Sequence, residues 1–151
     1  MVGTISLSYD KQIREYRKTS VTTASPLQLV VMLYDGAIRF IEAAKHAMQQ
    51  KDYYEQNENL IKAQNILLEL ISSLNMEKGK DIAEHLYSIY YFIYESLIEI
   101  NLNSNYMLLE RCQKMLSDLR ESWSEIERQQ RECATSGNTN NSNSVEERSV
   151  V

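Results

Sequence analysis

Ser25-Pro26-Leu27-Gln28-Leu29-Val30-Val31-Met32-Leu33-Tyr34-Asp35-Gly36-Ala37-Ile38-Arg39-Phe40 is a helix start followed by an apolar run with one glycine inside it. Ser25 can accept a hydrogen bond from the free N–H of Gln28 while the Gln28 side chain reaches back, and Pro26 suits the first helical position. The helix therefore begins at Pro26. Leu27, Val30, Val31, Tyr34, Ile38, Ile41 and Met48 recur at three- and four-residue steps, and Leu33, Ala37, Phe40, Ala44 and Ala47 widen the stripe. Such a helix faces more than one neighbour. Gly36 in its interior costs about 1 kcal/mol relative to Ala, which is tolerated where a missing side chain lets another backbone come close.

The same signals recur downstream. Asp52 with Glu55 opens a second amphipathic helix over about Tyr53 to Leu74, carrying Leu60, Ala63, Ile66, Leu67, Leu70 and Ile71. Residues 75–80 read as a loop, and Asp81 with Glu84 opens a third helix reaching about Ile100. After the break Asn101-Leu102-Asn103-Ser104-Asn105, a fourth helix carries Leu108, Cys112, Met115, Leu119, Trp123 and Ile126 in a narrow, seam-like stripe. Short loops make successive helices antiparallel, so the expected fold is all-α, an antiparallel four-helix bundle. Residues 25–132 form the bundle domain. Residues 1–24, with Ile5, Leu7, Tyr9, Ile13 and Tyr16 interleaved with charges, form a mobile segment that frays or docks on the bundle. From Ala134 the Asn/Ser/Thr-rich sequence has no apolar periodicity, so 133–151 reads as a disordered tail.

Composition narrows the function. The chain has 151 residues, 43% of them hydrophobic, enough for one domain with a real core. No apolar run reaches the roughly 18 residues needed to span a bilayer, and residues 1–9 lack a signal core, so a cytoplasmic protein without membrane insertion is expected. Cys112 falls on an apolar stripe and Cys133 near a polar tail, a pattern of free thiols and not of a disulfide framework. The net charge is −5: residues 1–24 carry four cations against two anions, +2, leaving −7 for the rest. Nucleic acid is a poor fit to such a surface.

Catalytic and metal constellations are also missing from the sequence. A di-iron bundle needs Glu-x-x-His pairs, and neither His46 nor His85 has a Glu three residues before it. No Gly-rich phosphate loop or activated nucleophile is evident, so neither an enzyme nor a cofactor is expected. The unusual feature is the third helix, where Leu86, Tyr87, Ile89, Tyr90, Tyr91, Phe92, Ile93, Tyr94, Leu97, Ile98 and Ile100 occupy nearly every angle. Either the helix packs on several sides, or part of this surface is an apolar groove for a partner.

Thr23-Ala24-Ser25-Pro26 and Leu33-Tyr34-Asp35-Gly36-Ala37 resemble the start of the first long helix in the FliS family of flagellar secretion chaperones. Lys62-Ala63-Gln64-Asn65-Ile66, Met76-Glu77-Lys78-Gly79, Leu86-Tyr87-Ser88-Ile89-Tyr90 and Trp123-x-x-Ile126 are similar to that family in the same order, over about residues 9 to 130. The resemblance implies a bacterial cytosolic chaperone, without catalysis or cofactor. Such a protein binds the disordered C-terminal region of flagellin, prevents premature polymerisation and helps deliver it to the flagellar type III export apparatus. It further assigns Ile13 and Tyr16, in Ile13-Arg14-Glu15-Tyr16, to docking on the export gate protein or covering the groove. Tyr34, Tyr87, Tyr90 and Tyr94 fall to the flagellin-binding groove, with core packing the alternative for Tyr34 and Tyr87.

One departure stands out. Tyr91-Phe92-Ile93-Tyr94-Glu95-Ser96 occupies the place where many relatives have an acidic residue and an Arg-Arg pair. This raises a second expectation of a different class, a helical adaptor that binds another helical partner, or itself as a homodimer, through the third helix.

Overall fold

A computed structural model of the chain describes residues 25–137. The expectations for residues 1–24, with Ile13 and Tyr16, and for the tail beyond 137 lie outside the described residues. The described chain is an all-α bundle of α1 (Pro26–Gln49), α2 (Tyr53–Ser73), α3 (Met76–Asn103) and α4 (Tyr106–Ser136).

Each start is capped by the side chain preceding it. Ser25 Oγ accepts from the Gln28 N–H at 3.2 Å and Gln28 Oε1 accepts from the Ser25 N–H at 2.9 Å, completing the expected capping box. Asp52, Asn75 and Asn105 each accept from the backbone N–H three residues on, at 3.1, 3.0 and 3.1 Å.

α3 differs from expectation at its start. Its first turn runs Met76–Gly79 behind the Asn75 cap, so residues 76–79 are helical and not loop. Lys80 then leaves helical geometry at φ 45°, ψ −122°, and the long regular portion resumes at Asp81, the expected start. A side chain at that φ is strained, by about 1–3 kcal/mol.

The four helices close a ring in which α1 packs on α2 and α4, and α3 completes it against the same two neighbours. Large side chains fill the centre, with Ile41, Leu60, Leu67, Leu70, Ile93, Leu97, Ile100, Leu109 and Leu116 fully buried. Each contributes about 1.5–3 kcal/mol of apolar burial. At Gly36 an added Cβ would come within 3.0 Å of Ile66 Cδ1, so the missing side chain makes room for α2. Asp35 beside it pairs with Arg120 of α4, and Lys45 pairs with Glu110 at 3.2 Å, two ties along the α1–α4 seam.

The α4 stripe is narrow, as expected, with Leu109, Cys112, Leu116, Trp123 and Glu127 buried, but Ile126 faces solvent. Its last turns also run further than expected. Residues 133–136, expected in the tail, are helical, and no described side chain from Arg128 onward is buried. Arg128 with Glu125 and Glu132, and Arg131 with Glu127, hold this solvated end by pairs three and four residues apart.

Candidate functional site

The excess apolar surface of α3 resolves into three strips with distinct environments. Ala83, Leu86, Tyr90, Ile93, Leu97 and Ile100, at three- and four-residue steps, form the buried strip. The expected groove residues Tyr34 and Tyr90 both lie in this core, at 0% and 1% exposure, and not on a surface. Their rings meet at 6.2 Å between centroids and 55°, and their hydroxyls hydrogen-bond to each other. A phenol buried in an apolar core needs a hydrogen-bond partner, and in this pair one hydroxyl donates to the other. Burial raises both phenols above their ordinary value, and for Tyr34 the nearby Tyr90 adds to the effect.

The second strip faces α4, the sparsest of the four helix pairings. His85, Ile89 and Phe92 of α3 and Met115 of α4 border a shallow depression of about 390 Å³, with Glu84 and Ser88 at its polar rim. The Arg111 guanidinium lies 5.9 Å from the Phe92 ring centroid.

The third strip lies along α2. Tyr87, Tyr91, Tyr94 and Ile98 recur at steps of four, three and four, and Asn101 continues the row and donates to Asn57 of α2. That bond fixes the direction in which the row faces. From Asn57, α2 brings Ile61, Gln64 and Leu68 to the same side at the same steps, and Ile61 and Leu68 are exposed. Tyr87 and Tyr91 are 43% and 45% exposed, and Tyr94 is half-buried against the core. Tyr87 and Tyr91 stack at 6.0 Å and 5°, and Tyr91 meets Tyr94 at 6.3 Å and 33°. The edge between α2 and α3 is therefore an exposed apolar surface built on two rigid helices. Two of the four tyrosines singled out in the sequence lie on it, together with Tyr91, which the sequence reading left unassigned. The signal for Tyr91 was present: it sits four residues after Tyr87 and three before Tyr94.

The chemical inventory of the described residues offers no alternative centre. No group of three His, Cys, Asp or Glu side chains converges there in a way that could hold a metal. Burial pushes the Cys112 thiol up to about 11, which disfavours the thiolate, and Cys133 is a free exposed thiol. No described helix is long and apolar enough to cross a membrane.

Comparison with known proteins gives a consistent answer. The family model described as Flagellar protein FliS matches residues 9–130. The chain is 35% identical to the flagellar secretion chaperone FliS of Bacillus subtilis over 72% of its own length and 80% of that protein's. It is 34% identical to the protein of the same name from Salmonella typhimurium, over 72% and 82%. For the one from Vibrio cholerae the identity is 33%, over 76% and 87%.

Proposed function

The chain belongs to the FliS family, and from that premise we propose that it binds the disordered C-terminal region of flagellin, prevents its premature polymerisation and assists its delivery to the flagellar type III export apparatus. The observation that carries this reading is the exposed α2–α3 edge, where Ile61 and Leu68 face the row Tyr87, Tyr91, Tyr94 and Ile98 on otherwise well-packed helices. Exposed apolar surface of this extent on a small bundle marks a binding site, and two neighbouring apolar rows on packed helices suit a helix laid lengthwise. A disordered segment that folds onto such an edge is shielded from its own copies while bound, which is the physical content of chaperoning. Within this reading Ile13 and Tyr16 dock on the export gate protein or cover the edge before flagellin arrives. The work is binding, with no cofactor, in the cytosol.

The test is calorimetric titration of the full chain with roughly the last 40 to 60 residues of the same organism's flagellin, where apolar burial with coupled folding gives a negative heat-capacity change. One-to-one binding with that signature is expected. A folded monomer that ignores the peptide would overturn the reading. A chain that dimerises with rising concentration through this edge would favour the adaptor instead.

A further inference from the structure

Three partly exposed rings on the described surface carry a cation from their own chain. Lys45 lies 5.5 Å from the Tyr106 centroid, Lys62 lies 5.6 Å from that of Phe40, and Arg111 lies 5.9 Å from that of Phe92. The Tyr87–Tyr91–Tyr94 row has no such cation among the described residues, although its rings form a continuous stacked surface. Nor does the regular part of its own helix, beyond Lys80, carry one. From Asp81 to Asn103, α3 contains Asp81, Glu84, Glu95 and Glu99 and no Lys or Arg. On the α2 side of the edge, Asn57, Ile61, Gln64 and Leu68 are uncharged.

Glu84 and Glu95 occupy helical positions that flank the row on its solvent side. Glu95 lies one helical turn after Tyr91, and its negative charge raises that phenol above its ordinary value. Aromatic faces edged by carboxylates attract ammonium and guanidinium groups through the ring quadrupole and through charge together.

We propose that Tyr87, Tyr91, Tyr94 and Glu95 form a docking site for cationic side chains, so that the segment received on the α2–α3 edge is a basic amphipathic helix. This rests on the reading above that the edge receives an export substrate, and it specifies that substrate's chemistry. From Tyr87 to Ile98 the row extends roughly 16 Å, three turns of helix. A bound helix would thus place apolar residues against Ile61 and Leu68. Lys or Arg at three- and four-residue steps would lie over the tyrosines and reach Glu95. Pairing of complementary charge sets the register and orientation of a helix that apolar contact alone leaves free to slide.

The experiment measures affinity of the full chain for two designed helix-forming peptides, one of Leu and Arg in amphipathic register and one with citrulline, the neutral isostere, in place of every Arg. The flagellin segment and its Lys/Arg→Gln counterpart are titrated alongside. The Arg peptide is expected to bind about tenfold more tightly than the citrulline peptide at low salt. That gap should narrow at high salt, and in Glu95→Gln and Tyr91→Leu, two exposed changes that leave the melting temperature in place. Equal affinities for the Arg and citrulline peptides would overturn the inference. So would photo-crosslinking, from p-benzoylphenylalanine at position 91, to the chain's own residues 1–24 or to a second copy in preference to the Arg peptide.

The two proposals fail separately. Flagellin binding that is indifferent to loss of its cations leaves the chaperone reading standing and removes this one. Arg-peptide selectivity without flagellin binding does the reverse.

Discussion

Tyr90 and Tyr91 are neighbours in the chain and differ in almost every physical respect. The helical turn of about 100° per residue puts Tyr90 in the core and Tyr91 on the edge along α2. Tyr90 is fully packed with its hydroxyl bonded to Tyr34, whereas Tyr91 is 45% exposed, stacked on Tyr87 and set against Glu95. One helix thus carries a buried tyrosine and an exposed tyrosine side by side, and residue type alone does not distinguish them.

The strongest way to break that contrast is truncation. Tyr90→Ala is expected to cost about 3–5 kcal/mol in urea denaturation, from lost burial and the cavity left behind. Tyr91→Ala should stay within about 0.5 kcal/mol, as surface substitutions do. Comparable losses at both positions would make the edge part of the core. A finer probe removes a single oxygen: Tyr34→Phe leaves the Tyr90 hydroxyl without its Tyr34 partner and should cost about 1–3 kcal/mol. The Tyr34→Phe/Tyr90→Phe pair is expected to be more stable than the two single losses summed, in a double-mutant cycle.

Alkaline pH sharpens the comparison further. Both buried phenols hold their proton more tightly folded than unfolded. Their contribution is therefore complete below the ordinary value of 10.0 and is lost as pH rises above it. Tyr34 should cost about 1 kcal/mol by roughly pH 10.5, and Tyr90 acts in the same direction. Melting curves between pH 8 and 11 should fall less steeply for the double Phe chain than for the wild type. The smallest effect concerns the phase of α3 itself, which restarts after the strained Lys80. Lys80→Gly is expected to stabilise by about 1 kcal/mol in urea, because glycine adopts a positive φ without cost, and to leave peptide binding unchanged.

Much of this architecture is legible in the sequence because it rests on local rules. The Ser25-Pro26-x-Gln28 box, the Asp52 cap and the apolar steps of α1 and α2 each depend on residues within one or two turns. The Asn75 cap was missed because no Glu or Gln three residues on completes a box there, and Gly79 reads as a breaker. The last turn of α4, residues 133–136, was missed because Ala134-Thr135-Ser136 carries no apolar stripe, and there Thr135 donates back to the Arg131 carbonyl one turn earlier. For the site, spacing suggested an aromatic surface on α3. It could not divide that surface into three strips, since the strips are defined by what α2 and α4 cover.

The amino-acid sequence by itself determined that this chain forms capped amphipathic helices connected by short loops, with more aromatic surface on the third than one core stripe can use. Those properties follow from hydrogen bonds and periodicities within a few residues. Only the tertiary structure decided that Tyr34 and Tyr90 face each other across 56 residues of chain. It likewise decided that Asn101 reaches Asn57, turning the Tyr87 row toward an uncharged strip of α2. Burial is a property of the assembled helices: the same phenol is core or exposed surface according to which neighbour arrives to cover it.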